Sequence, residues 1–367
     1  MSAGTETVEV PAGINAVSVS AWFAQNVPQA AAPLRFELIA GGRSNLTYRV
    51  HCADGNSVVL RRPPLGHVLA TAHDMGREHK IISGVGLTDV PVPATIALCE
   101  DPEVNDAPFY VMSYEQGAVL HSADESALVP DAERMPLSRR VADVLAELHA
   151  IEPDDVGLGD LGRREDYLGR QLRRWTRQWE QSKTRELPIM DEVAAVLAAR
   201  KPDQIGAAIV HGDYRLGNML TGARPTGARP TGARPTGARP TGHWGIVAVL
   251  DWELCTLGDP LADVGFLMNN WVSPDEPSAG SSAPTQAGGF ASRTQMLDWY
   301  CDASGRDVSG VEYYRAFSYW RLAAISEGVL NRYLHGAMAD AQETDTSVFR
   351  DSVDFLSASA AERLAIR

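Results

Sequence analysis

The chain has 367 residues, 44% of them hydrophobic, and a formal net charge of −14 at pH 7. That length and apolar content fit one large domain or two joined lobes with a substantial core. The acidic balance argues against a general nucleic-acid binder, which would carry a basic stripe. Four scattered cysteines, Cys52, Cys99, Cys255 and Cys301, include no CxxC pair, so reduced thiols are expected rather than a disulfide frame or a zinc site. The N-terminal stretch MSAGTETVEVPAGINAVSVSAW has neither a basic start nor the apolar core of a signal peptide. No apolar run approaches membrane-spanning length, so a cytoplasmic protein with no membrane partner is expected.

Residues 14–27 read as a short helix ending before Pro28. FELIAGGRSNLTYRVHC reads as strand, glycine turn, strand, and GNSVVLRRPP as a third strand stopped by Pro63 and Pro64. TAHDMGREHKIISGVG has helical spacing, with Met75, Ile81 and Ile82 as its apolar markers. PFYVMSYEQG is a further strand running into a loop. From about Pro136 the character changes. LSRRVADVLAELHAI, REDYLGRQLRRWTRQWEQS, MDEVAAVLAARK and the long VEYYRAFSYWRLAAISEGVLNRYLHG all read as helices. A small β-rich lobe over residues 1–114 and a larger helical lobe over 115–367 are therefore expected.

Two segments carry chemistry. In VHGDYRLGN, Asp213 and Asn218 stand five residues apart after an apolar strand, AAIV. A second apolar strand, GIVAVL, delivers Asp251. In such a set one carboxylate can orient and deprotonate a hydroxyl, while an amide oxygen and a second carboxylate can hold Mg²⁺ on nucleotide phosphates. Phosphoryl transfer needs that layout, because its catalysis is mostly positioning and charge neutralisation.

The paired motifs resemble the aminoglycoside phosphotransferase and choline kinase group, small-molecule relatives of the protein kinases. That group has an H-G-D-x-x-x-x-N catalytic loop, matched by His211 to Asn218, and a metal-binding aspartate, matched by Asp251. The string VLDWELCTLGDPLADVG looks closest to the kinase-like domains fused to some acyl-CoA dehydrogenases. The resemblance runs from about Phe36 to His335 and implies an α+β, bilobal protein-kinase-like fold. It also implies a small-molecule kinase using ATP or GTP with Mg²⁺. Asp213 then acts as the base and Asn218 and Asp251 as the metal ligands.

The same resemblance sets places for the nucleotide. The turn around Gly41 and Gly42, with Ser44 and Asn45 as donors, lies where the phosphate-covering loop belongs, although a plain hairpin fits equally. The third strand offers Arg61 where a lysine is usual; Arg62 is the competing choice, and the chain has only Lys80, Lys183 and Lys201. Val59 shares the Arg61 face by strand alternation, and Glu78 on the next helix would pair with the cation. Met112 would lie near the base, with Ser113 and Tyr114 offering backbone hydrogen bonds. His211 and His149 read as structural, Asp259 and Asp263 as loop and helix-cap residues. Arg321 and Arg332 match the family pattern without an assignable role. An aminoglycoside is one acceptor, a hydroxy acid or its coenzyme A ester another, and a nucleotide-binding pseudokinase a third reading.

Between the two motifs runs TGARPTGARPTGARPTGARPTG, residues 221–242. Gly and Pro in every unit oppose helix and sheet, and insertion at a hairpin tip is thermodynamically cheap. A tolerated, exposed expansion is expected, with an arginine-bearing tether as the functional alternative.

Overall fold

The computed structural model describes residues 10–41, 45–65, 74–223, 243–277, 282–336 and 344–366. The chain divides into two compact units: Met1–Gln116 with Ala248–Glu253, and Gly117–Val247 with Leu254–Arg367.

The first unit opens with α1 (Ala16–Asn26), whose N-terminus is capped by the Asn15 side chain accepting from the Ser18 N–H. Five strands follow, β1 (Arg35–Ala40), β2 (Leu46–His51), β3 (Ser57–Arg62), β4 (Thr95–Cys99) and β5 (Phe109–Ser113), with α2 (Met75–Val85) and the single-turn α3 (Pro102–Asn105) between them. They form one antiparallel sheet in the order β1-β2-β3-β5-β4. Strand alternation divides the side chains. Val58, Leu60, Tyr48, Val50, Phe109 and Val111 pack with Val19 and Phe23 of α1 into the unit's core. Each such side chain, fully removed from water, contributes about 1.5–3 kcal/mol. The intervening positions Val59, Arg61, Tyr110 and Met112 take the other sheet face.

The second unit is mainly helical: α4 (Asp131–Ala150), α5 (Tyr167–Ser182), α6 (Pro188–Ala199), α7 (Leu261–Asn270), α8 (Arg293–Ser304), α9 (Val311–Leu334) and α10 (Ser347–Arg363). Helix α4 starts one turn before the position expected from Pro136, which lies within it. Four short strands complete the unit. β6 (Ala208–Val210) pairs antiparallel with β9 (Thr256–Gly258), and β7 (Met219–Ala223) pairs with β8 (Trp244–Val249). Buried aromatic heads are tied to backbone: Trp320 Nε1 donates to Met190 O at 3.1 Å and Tyr214 Oη to Val141 O at 2.9 Å.

The repeat tract requires a correction at its start. Thr221 belongs to β7, is fully buried, and bonds Ala118 through its N–H (2.8 Å) and its Oγ1 (2.9 Å). Threonine suits a strand, so the first residues of the tract are docked rather than exposed. Residues 224–242, which carry the rest of the repeat, lie outside the described residues.

Candidate active site

In the first unit the site is built around Arg61. β3 and β5 pair Arg61 with Tyr110 and Val59 with Met112, so the four residues form a compact patch. The Arg61 guanidinium donates through Nε to Glu78 Oε2 (3.1 Å), through Nη1 to Thr47 Oγ1 (3.1 Å) and through Nη2 to Asp251 Oδ1 (2.7 Å). Glu78 comes from the first turn of α2, whose Asp74 cap accepts from the Arg77 N–H. It also accepts from Asn45 Nδ2 at 3.3 Å and from the Trp252 backbone N–H. Asp251 holds φ at +67°, in the left-handed region that non-glycine residues seldom occupy.

Electrostatics fix the cation. Burial opposes the Arg61 charge, but Glu78 and Asp251 outweigh it and hold the guanidinium protonated more firmly than usual. Burial pushes the Glu78 carboxyl up, with Arg61 opposing that shift. Arg62, the alternative cation, faces the other way by alternation. It donates to Gly13 O at 2.5 Å and Asn105 O at 3.1 Å, holding the N-terminal segment to the sheet.

Val59 and Met112 are both buried beside Arg61. Ser113 has its N–H and hydroxyl in the sheet. Its N–H donates to Ala94 O and its Oγ accepts from the Ala94 N–H, so that amide is engaged in the sheet and is not offered to a base. The Tyr114 ring lies under the Arg49 guanidinium, 4.1 Å from its centroid. Gly42 and Ser44 fall outside the described residues.

In the second unit, β6 and β9 set the start of the HGD loop. Asp263 holds it. Fully buried in the first turn of α7, its carboxylate accepts the His211 N–H (2.6 Å), the Gly212 N–H (2.8 Å) and His149 Nε2 (3.3 Å). A carboxylate only accepts, so the His149 proton sits on Nε2, and Nδ1 accepts from Tyr300 Oη at 2.8 Å. Burial pushes the His149 pKa down against the pull of Asp263, while His149 and the Gly212 N–H hold Asp263 below its usual range against burial. Gly212 has φ +86°, and a Cβ there would meet Leu254 Cβ and O at 2.9 Å, so no side chain fits. Arg321 Nη2 donates to Gly212 O at 2.8 Å.

Asp213 and Asn218 come together through this loop. Asn218 Nδ2 donates to Asp213 Oδ2 at 2.7 Å and to Asp213 O at 2.9 Å. The Asp213 N–H donates to His211 Nδ1 at 3.2 Å, so His211 braces the loop as expected. Asn218 commits its amine to Asp213, and its carbonyl oxygen is its remaining polar atom. Asp251 places one carboxylate oxygen on Arg61 and retains the other. Both are hard oxygen donors of the kind Mg²⁺ takes alongside phosphate oxygens and water. No cluster of three or more His, Cys, Asp or Glu suited to a metal occurs among the described residues.

Two residues gained roles that sequence reasoning had missed. Asp263 caps the HGD loop rather than its own helix; an aspartate inside PLADVGFLM, otherwise apolar, is the signal, because a buried charge requires partners. Arg321 carries the same signal on α9. The N-cap position of α7 is Pro260, one residue after Asp259; the Asp259 Oδ1 accepts the Leu261 N–H at 3.1 Å and its Oδ2 takes the Tyr314 hydroxyl at 2.7 Å.

The profile of the phosphotransferase enzyme family matches residues 35–232 and 239–297. Acyl-CoA dehydrogenase family member 10 of Mus musculus is 31% identical over 322 residues, 85% of this chain; the chain spans 28% of that protein's length. A crystal structure from Ralstonia eutropha, assigned as an aminoglycoside phosphotransferase, is 30% identical with a TM-score of 0.75, covering 95% of this chain and 98% of that one. The GDP complex of aminoglycoside 2'-phosphotransferase-IIIa shares the fold at 15% identity and a TM-score of 0.61, covering 94% of this chain and 99% of that one. The antiparallel sheet of one unit and the helices of the other are those of a kinase-like α+β fold. With the HGD loop and its partners in the same sequence span, the chain belongs to the phosphotransferase enzyme family.

Proposed function

We propose that the chain transfers the γ-phosphoryl group of ATP or GTP to a hydroxyl of a small molecule. The observation that carries this reading is the pairing of Arg61 with both Glu78 and Asp251. A firmly charged, preorganised guanidinium replaces the usual lysine without loss of the ion pair, and its forked donors suit phosphate oxygens.

In this reading Arg61, oriented by Glu78, binds the nucleotide phosphates. Val59 and Met112 pack against the base, and Tyr114 supplies backbone hydrogen bonds. Gly42, Ser44 and Asn45 cover the phosphates. Asp213 orients the acceptor hydroxyl and takes its proton. The acceptor oxygen bonds to the γ-phosphorus, the bond to the bridging oxygen breaks, and the nucleoside diphosphate leaves. Asn218 and Asp251 would hold Mg²⁺, which when bound neutralises phosphate charge.

Two acceptor classes follow from different relatives. The Ralstonia eutropha structure favours an aminoglycoside, and an acidic chain suits a polycation. The acyl-CoA dehydrogenase family relative favours a hydroxy acid or its coenzyme A ester. The test is Mg²⁺-dependent ATP and GTP turnover with a panel of both. Acceptor-dependent release of nucleoside diphosphate is expected. Nucleotide binding with no turnover on any acceptor would instead favour a pseudokinase that regulates a partner.

A further inference from the structure

Arg215 stands two residues after Asp213 and is the half-buried cation of the HGD loop. Its Nε donates to Asp213 Oδ1 at 3.3 Å, with 34% of the arginine side chain and 22% of the aspartate exposed. The guanidinium is laid over the backbone of Gly217. A Cβ at Gly217 would lie 2.2 Å from Arg215 Nη1, 3.0 Å from its Cζ and 3.2 Å from His121 Nδ1. Any residue but glycine at 217 therefore displaces the arginine. The cation lies along the stretch of loop that runs from Asp213 to Asn218, and those two residues are themselves joined by Asn218 Nδ2.

A stability role does not account for this. A partly exposed ion pair made through one N–H contributes about 0–1 kcal/mol. Among the described residues, the two Nη groups make no hydrogen bond. The planar, always-charged fork that these groups form beside Asp213 suits an oxyanion.

We propose that Arg215 binds an oxyanion beside the Asp213 carboxylate and is a catalytic residue of the transfer. The proposal rests on Asp213 serving the acceptor hydroxyl. The oxyanion has two sources: the phosphoryl group in transit, or a carboxylate or phosphate on the acceptor.

The test uses Arg215→Met and Arg215→Lys in the full chain, with Tm as the fold control. Calorimetry compares Mg·ADP alone with Mg·ADP plus aluminium fluoride, a planar mimic of the group in transit. Kinetics compare acceptor-free ATP hydrolysis with matched acceptor hydroxyls with and without a carboxylate. If the phosphoryl group is the ligand, Arg215→Met weakens the fluoride complex by about 100-fold and lowers kcat, acceptor-free hydrolysis included, with Mg·ADP affinity unchanged. If the acceptor is the ligand, KM for the carboxylated acceptor rises about tenfold or more, and the neutral acceptor and fluoride complex are unaffected. In either case Lys, a cation without the fork, retains part of the effect. Wild-type values throughout for Arg215→Met overturn the proposal, as does a fall in Tm with normal kinetics in the folded protein. Full kcat in Asp213→Asn would defeat the base assignment instead, and the fluoride complex would still report on Arg215.

Discussion

Replacing Asp263 by asparagine tests how the HGD loop is held. The wild-type carboxylate accepts the His211 N–H and His149 Nε2 at Oδ2 and the Gly212 N–H at Oδ1, with no exposure to solvent. An asparagine keeps one oxygen, best placed at the Oδ2 position where two donors converge. Its amine then faces the Gly212 N–H, donor against donor. One buried N–H loses its partner, at about 1–3 kcal/mol, and the surviving bonds lose charge assistance, so a total of about 2–4 kcal/mol is expected. At roughly 2–4 °C per kcal/mol for a unit of this size, Tm falls by about 5–15 °C. The Gly212–Asp213 peptide loses its anchor, so kcat falls in the folded protein while nucleotide affinity holds. The assay is thermal unfolding by circular dichroism with steady-state kinetics well below the new Tm. A variant with Tm within a degree of wild type and unchanged kcat would refute the reasoning. His149→Gln combined with Asp263→Asn should then cost less than the sum of the two changes, because the residues share one network.

Arg61→Met weakens nucleotide affinity and also lowers Tm, because it strands the buried Glu78 carboxylate, whereas Arg62→Met lowers Tm and spares nucleotide binding, since Arg62 serves Gly13 and Asn105; calorimetry on the folded variants separates them. Deleting residues 224–242, with Thr221 and the rest of β7 retained, leaves kcat near wild type and stabilises by roughly 0.6 kcal/mol per halving of loop length; a large loss of activity with the fold intact would show a working role for the repeat. Burial raises the Glu276 carboxyl, but Arg293 and the Ser273 N–H outweigh it and hold the pKa at about 2. A depressed carboxyl contributes stability that is complete above its ordinary range and lost as pH falls toward 2. Glu276→Gln should therefore flatten the acid limb of a stability–pH curve and leave it unchanged in slope above pH ~6.

Much of the fold was legible because period carries burial. Alternation along VVLRR separated Val59 and Arg61 from Val58, Leu60 and Arg62, and the sheet divides its faces in that way. The HGD loop was legible because Asp213 and Asn218 lie five residues apart in one short segment, and their hydrogen bond is local. Residues acting from far along the chain were not. Asp263 reaches His211 from 52 positions away and Arg321 reaches Gly212 from 109 away; only the need of a buried charge for partners hints at either. Helix α10 also went unread, because its buried residues, Val353, Leu356, Ser357, Ala360 and Ala361, are mostly small and give a faint stripe. Thr221 was misread because the repeat's composition hid a strand end whose partner, Ala118, lies more than a hundred residues earlier.

The central claim is that Asp213 serves the acceptor and the Arg61 cluster serves the nucleotide. Its most direct measurement is kcat for an accepted hydroxyl substrate, set beside Mg·ATP affinity, in Asp213→Asn. Asparagine keeps the size and the bond from Asn218 but is a far weaker base. The account predicts a loss of kcat of about 100-fold or more with nucleotide affinity within a factor of two. Wild-type kcat in Asp213→Asn, with the same acceptor and the same fold, would contradict it.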